Sequence, residues 1–302
     1  MSWIIFGGTG QLGSALSKVL GQRKIPFHIF GTKDLDIRFP FSDIQKFRDL
    51  DCKVIVNAAA WTNVDGAEAD YENAYAVNAT GASNLALAAK DLQAVFFQIS
   101  TDYVFSGKRS APWNENEPFL TSSVYGETKA AGELAAINNY REGTYVFRTA
   151  WLYSEWGKNF AKTITRLALK DPEGTTTTDL VKVVTDQIGQ PTYALDVANQ
   201  IVDTERAKLP FDIYHATNSG EATWFEFAEE IFKICNSNLE RLAKVKSTQL
   251  QLAAQRPEYS VLGHKGWSRV GASGLNVLPM RDWKLSLHEA MPAIISAIKE
   301  EG

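Results

Sequence analysis

Cysteine is scarce in this chain of 302 residues: its two thiols, Cys52 and Cys235, each sit in an apolar setting that suits a buried side chain better than a bridge or a metal site. A disulfide-stapled scaffold is excluded, and a reducing, cytoplasmic setting is expected. A large excess of charge of one sign is missing too. The 31 Lys and Arg against 35 Asp and Glu leave a net charge of -4, with no basic cluster, so no nucleic-acid partner is expected. No stretch approaches the ~18 consecutive apolar residues of a membrane span, and Met1-Ser2-Trp3 enters a strand-like segment with neither a basic n-region nor a cleavable apolar run. Neither a membrane partner nor a signal peptide is expected. His28, His215, His264 and His288 are scattered without ligand spacing, and the acidic run Asp65, Glu68, Asp70 and Glu72 suits a helix start, so no metal is expected. There is no internal repeat or low-complexity tract.

What is present is 45% apolar and 22% charged, an ordinary globular composition long enough for a large core. Trp3-Ile4-Ile5-Phe6 reads as a strand, Gly7-Gly8-Thr9-Gly10-Gln11-Leu12-Gly13 as a glycine turn, and Leu12, Leu16, Val19 and Leu20 as the buried stripe of a helix. In that context Gly7, Gly10 and Gly13 let backbone approach a pyrophosphate at a helix start, with Gln11 and Leu12 between them. The alternative is a plain tight turn. After a second strand at 26–30, Thr32 and Lys33 stand where an acidic residue commonly grips the ribose of NAD, which favours NADPH; Asp34 or Asp36 in the acidic role leaves NADH open. A helix is expected over 41–50, then a strand at 53–57 ending in Ala58-Ala59-Ala60, whose small side chains leave room for a cofactor.

One helix is expected from Tyr71 to Ala89, a fourth strand at 94–99 and a fifth at 144–149. Ser100-Thr101-Asp102-Tyr103 fall on the ligand-binding edge of an open sheet. Ser123-Val124-Tyr125-Gly126-Glu127-Thr128-Lys129 sets a phenol and an ammonium at i and i+4 of a helix start, on one face. A phenol titrates near pH ~10, and a nearby cation is expected to lower Tyr125 and make it an acid at neutrality. Strands alternating with helices predict a doubly wound parallel α/β sheet with a smaller, mainly helical C-terminal lobe. The expected division is 1–155 with 178–216 for the dinucleotide-binding domain, and 156–177 with 217–302 for the substrate lobe.

Together these segments resemble the extended short-chain dehydrogenases, and within them the dTDP-4-dehydrorhamnose reductases. The resemblance runs through the glycine turn, Asn57-Ala58-Ala59-Ala60-Trp61-Thr62-Asn63-Val64-Asp65, Ser100-Thr101-Asp102-Tyr103-Val104-Phe105-Ser106-Gly107 and Tyr125 to Glu133. It continues through Arg148 to Tyr153, Asn159-Phe160, Asp186-Gln187-Ile188-Gly189-Gln190-Pro191-Thr192 and Arg256-Pro257. It implies NADPH-dependent reduction of the 4-keto group of dTDP-6-deoxy-L-lyxo-4-hexulose to dTDP-L-rhamnose. Tyr125 would be the acid, Thr101 would steady the oxygen, and Lys129 would assist Tyr125 and hold the nicotinamide ribose. The resemblance also places Trp151 against the deoxysugar, with Asn159 and Arg256 toward the diphosphate and Asp102 and Tyr103 in the substrate site. Two positions depart from the family. Ala15 stands where some members carry an acidic Mg²⁺ ligand at a dimer interface, and Trp61 stands where tyrosine or histidine is commoner. The competing readings are another nucleotide-sugar 4-ketoreductase or epimerase, and a non-catalytic regulatory subunit of the methionine adenosyltransferase partner type. Monomer and homodimer both remain open.

Overall fold

The computed structural model describes residues 1–41, 44–174, 180–250, 252–267 and 277–301. In chain order the elements begin β1 (Ser2–Phe6), α1 (Gln11–Gln22), β2 (Phe27–Phe30), α2 (Gln45–Asp49), β3 (Cys52–Asn57), α3 (Val64–Ala69), α4 (Tyr71–Tyr75), α5 (Gly81–Leu92) and β4 (Val95–Thr101). Next come α6 (Val124–Tyr140), β5 (Thr144–Thr149), β6 (Leu152–Tyr153), α7 (Phe160–Lys170), β7 (Val181–Val184), β8 (Ile188–Gly189) and β9 (Thr192–Tyr193). The chain closes with α8 (Ala194–Ala207), β10 (Ile213–His215), β11 (Ala222–Thr223), α9 (Trp224–Ile234), β12 (Leu242–Val245) and α10 (Trp283–Glu300).

A six-stranded sheet in the order β10-β5-β4-β3-β1-β2 is the frame, and every pairing in it is parallel. A parallel sheet covered on both faces needs strands that are apolar throughout, and β1 is buried along its whole length. Successive residues feed opposite cores. Trp3, Ile5, Val54, Val56 and Phe97 pack with α1 and α8, whereas Ile4, Phe6, Ile55 and Phe96 pack with Phe47 of α2 and Leu85 of α5. The expected doubly wound fold is present. The strand order reverses beside β1, so the crevice beyond the carboxyl ends of β1, β3, β4 and β5 is where such a sheet binds ligands.

The helix expected over 71–89 is divided: α4 and α5 are joined by a π turn, Ala76–Thr80. The reason is a buried polar side chain that must be satisfied. Asn78 in that turn donates to Thr128 Oγ1 at 3.0 Å and accepts from the Trp61 backbone N–H at 2.9 Å, which ties the turn to both α6 and the loop after β3.

The second core joins α7, α9 and α10 through Ile164, Phe227, Ile231, Leu287, Met291 and Ile294. β7 pairs with β12, not with the six-stranded sheet, and Val183 lies in this second core. Conversely, Trp267, Val277 and Met280 return to pack in the core of the main sheet. The run Gly174-Thr175-Thr176-Thr177-Thr178 reads as a loop, and from 175 onward it lies outside the described residues.

Candidate active site

The glycine turn between β1 and α1 is shaped by close backbone approach. Gly7 has φ +77°, and a Cβ there would meet Ala58 and Ala59 backbone atoms at 2.6–2.7 Å; one on Gly13 would meet Gly7 O at 2.3 Å. Only glycine fits at either position. Gly10 caps α1 without a side-chain bond, so the free N–H groups of the first turn stay available to an anion. Above this turn lies a cleft of about 930 Å³. Gly7, Gly10, Gln11 and Leu12 line it, as do Ala58, Ala59 and Ala60; Gly13 sits underneath, against Gly7 and Gly8.

At the β2 end, Thr32 and Asp36 line the cleft, but Lys33 is not among the described residues that do. Arg38 takes that place. It donates to both oxygens of Asp36, from Nε at 3.0 Å and from Nη2 at 2.6 Å, and this bonding holds the Asp36 carboxyl below its ordinary value. Asp34 instead accepts from the Gly31 N–H at 2.8 Å and closes the turn. Ser100 Oγ and Thr149 Oγ1, on the strand ends that floor the cleft, are buried without a hydrogen-bond partner among the described residues. Such orphaned groups next to a glycine cradle and three alanines fit a polar, extended cofactor of the dinucleotide kind.

Thr101, Asp102, Tyr103, Tyr125 and Lys129 converge at the β4 end of the same cleft. Ser123 caps α6 by accepting from the Gly126 N–H, and a Cβ on Gly126 would meet Tyr103 O at 2.2 Å, so the helix start is pressed onto the turn after β4. The Tyr103 and Tyr125 rings meet edge to face at 5.4 Å. Thr101 Oγ1 donates to Asp102 Oδ1 at 3.0 Å and accepts from the Tyr103 N–H at 3.3 Å.

The expected electrostatics of Tyr125 need correction. Burial pushes its hydroxyl up to about 12, and the opposing influence is a hydrogen bond with Thr101, not the charge of Lys129. The Lys129 ammonium, 3% exposed, donates to the Ile99 carbonyl at 2.6 Å; burial pulls it down to about 8 while Glu133, one turn along, raises it. Sharing a helical face brought the two groups to one cleft without making one tune the other.

Two expected substrate residues have other partners. Arg256 forks onto Asp65, Nη1 to Oδ1 and Nη2 to Oδ2 both at 2.6 Å, and this pair holds the Asp65 carboxyl well below its usual range. Asn159 caps α7 through Lys162 N and donates to Gln11 Oε1 at 2.9 Å. Neither lines the cleft among the described residues. Trp151 does, in a left-handed conformation (φ 45°) that is rare for a bulky residue. One of its faces is covered by Trp224, stacked at 3.5 Å and 6°.

A comparison with known families matches residues 1–295 to the family described as RmlD substrate binding domain. The chain belongs to that family. Within and around it, the chain is 38% identical to a dTDP-4-dehydrorhamnose reductase of Streptomyces griseus, over 97% of this chain and 93% of the relative. It is 35% identical to a probable dTDP-4,6-dihydroxy-2-methyloxan-3-one 4-ketoreductase of Streptomyces antibioticus, over 98% and 97%. Among solved structures, dTDP-4-dehydrorhamnose reductase from Bacillus anthracis in complex with NADP superposes with a TM-score of 0.88 at 34% identity, covering 96% of this chain and 98% of that one. Of the residues read from the sequence, Gly7, Gly10, Gln11, Leu12, Ala58 to Ala60, Thr101 to Tyr103, Tyr125, Lys129 and Trp151 line the cleft. Trp224, Lys158 and Arg38 line it as well and were missed. Lys158 and Arg38 look in sequence like any solvated cation, and Trp224 reads as the apolar start of α9; no spacing rule singles them out.

Proposed function

We propose that the chain reduces the 4-keto group of dTDP-6-deoxy-L-lyxo-4-hexulose, consuming NADPH and giving dTDP-L-rhamnose. The observation that carries this reading is the meeting of Tyr125, Thr101 and Lys129 at one end of a cleft whose other wall is the Gly7–Gly13 turn. When bound, NADPH supplies the hydride that reduces C4. Gly7, Gly10, Gln11, Leu12 and Gly13 would hold its pyrophosphate, Ala58 to Ala60 would give it room, and Thr32, Asp36 and Arg38 would face its adenosine end. Tyr125, protonated at neutral pH because burial disfavours the phenolate, delivers the proton to the C4 oxygen. Lys129 is the candidate for holding the nicotinamide ribose. Asp102, Tyr103, Trp151 and Trp224 would form the sugar end. We assign cofactor binding to the body built on the six-stranded sheet and sugar recognition to the body around α7, α9 and α10. The free thiols of Cys52 and Cys235 support a cytoplasmic setting.

The test is direct. With enzymatically made 4-keto-6-deoxy-L-hexulose nucleotide, absorbance of NADPH is expected to fall in step with rhamnose nucleotide formed; no oxidation would end the assignment. A second reading, another dTDP-sugar 4-ketoreductase, is favoured by the similarity to the Streptomyces antibioticus relative. Initial rates on 4-keto sugars of D-xylo and L-lyxo configuration separate the two.

The Trp151–Trp224 stack offers a finer probe. A Cβ on Gly189 would meet the Trp151 ring at 2.5 Å, so Gly189→Ala pushes the indole from its slot. The expected result is a KM for the sugar nucleotide raised about tenfold, in line with ~1–3 kcal/mol for overpacking, with NADPH affinity unchanged. Steady-state kinetics and tryptophan fluorescence report both. An unchanged sugar KM would remove Trp151 from the sugar site.

A further inference from the structure

Thr101 carries one hydroxyl, with a single proton to donate and two lone pairs to accept with. The proton goes to Asp102 Oδ1 at 3.0 Å, and one lone pair takes the Tyr103 N–H at 3.3 Å. In this arrangement Thr101 has no proton left for a C4 oxygen. An ionised carboxylate only accepts hydrogen bonds, so while Asp102 is ionised Thr101 must donate to it.

Resting on the ketoreductase reading, we propose that Asp102 is a positioning residue whose neutral form is the active one. Its carboxylic O–H donates to Thr101 Oγ1, and the Thr101 proton is thereby turned onto the C4 oxygen of the sugar, beside that of Tyr125. The count closes in that form. Thr101 accepts from Asp102 and from the Tyr103 N–H, which fills both lone pairs. The Thr101 proton is freed for the substrate oxygen. Two donors then face the atom on which negative charge develops.

The surroundings favour a neutral carboxyl. Asp102 is 2% exposed, and burial pushes it up to about 6 against hydrogen bonds from Ser260 and Thr101. Among the described residues no cation offsets the burial. The titratable groups that sense its charge are Tyr103, on its own turn, and Tyr125, on α6. Lys129, also on α6, is turned to the Ile99 carbonyl; Arg256, which acts on Tyr103, is held by Asp65. Filling the cleft takes more water from the carboxyl and favours its neutral form further.

The experiment measures kcat from pH 5 to 9 with saturating NADPH and 4-keto-6-deoxy-L-hexulose nucleotide, for the wild type and Asp102→Asn. The neutral acid exists below its pKa, so wild-type kcat is expected to fall as pH rises through that value, about tenfold per unit. The asparagine amide donates to Thr101 at every pH, so Asp102→Asn loses that alkaline limb. Infrared difference titration of wild-type protein labelled with ¹³C at aspartate carboxyls gives a readout free of turnover, and of the variant's folding. A protonated carboxyl band is expected to vanish with the midpoint at which kcat falls. An alkaline limb that persists in Asp102→Asn, or a carboxylate signal throughout the active pH range, would overturn the proposal. Absence of NADPH oxidation by the wild type with any 4-keto sugar nucleotide would instead sink the ketoreductase reading, and the infrared titration would still decide the state of Asp102.

Discussion

Tyr125→Phe is expected to lower kcat by about 10²–10⁴-fold while leaving the Kd for NADPH within about twofold of the wild type. The variant deletes one oxygen and little else. The ring keeps its edge-to-face contact with Tyr103 at 5.4 Å, and the helix keeps its Ser123 cap, so the walls of the cofactor cleft stay in place. What goes is the proton donor. Burial holds Tyr125 near 12, so the donor is a phenol across the neutral range, and its replacement by a ring without a hydroxyl leaves the C4 oxygen to water or to Thr101 alone. Steady-state NADPH absorbance measures the first quantity and quenching of protein fluorescence on titration with NADPH the second. A kcat within tenfold of the wild type would show that Tyr125 is not the acid.

That prediction uses residues legible in the sequence, and the reason they were legible is local. Gly7, Gly10 and Gly13, the alanines after β3, the hydroxyl run after β4 and the Tyr125–Lys129 pair each sit in a short motif whose spacing fixes its own geometry. The sheet brings them together because consecutive parallel strands deliver their carboxyl ends to one edge. What escaped is what depends on contacts between distant segments. Arg256 looked free to bind phosphate, yet Asp65, 191 residues away in sequence, takes both ends of its guanidinium. Lys129 looked like the tuner of Tyr125, yet a backbone carbonyl of β4 claims its ammonium. β7 fell within the expected dinucleotide-binding segment 178–216, yet it pairs with β12. Periodicity tells which side of an element is buried, not against what. Trp224 shows the same limit from the other side: an aromatic at a helix start becomes a wall of the site only because Trp151 is bent back to meet it.

The helix that presents Tyr125 and Lys129 is itself fastened at Glu133, and the second large effect is expected there. Arg148 on β5 donates to Glu133 through Nε at 2.9 Å and Nη2 at 2.7 Å, with the two side chains 1% and 0% exposed. The guanidinium also donates to Glu115 O at 3.0 Å and lies over the Phe105 and Phe119 rings at 5.0 and 5.3 Å. Glu133→Ala leaves this cation buried with no counter-charge, at a cost of about 3–5 kcal/mol. In a chain of this size that lowers Tm by about 10 °C, read by thermal unfolding. Replacing both partners by apolar residues, Glu133→Leu with Arg148→Met, removes the uncompensated charge and is expected to recover most of the loss. If the double variant is as unstable as Glu133→Ala, the pair is not the source of the effect. The stable double variant then isolates what Glu133 does for the site. Its charge raises Lys129 against the burial that pulls the ammonium down to about 8. A lysine is charged below its pKa and loses its charge as pH rises through it. Without Glu133 that loss comes at lower pH, and if Lys129 grips NADPH through its charge, the alkaline rise in the Kd for NADPH moves toward neutrality in the double variant.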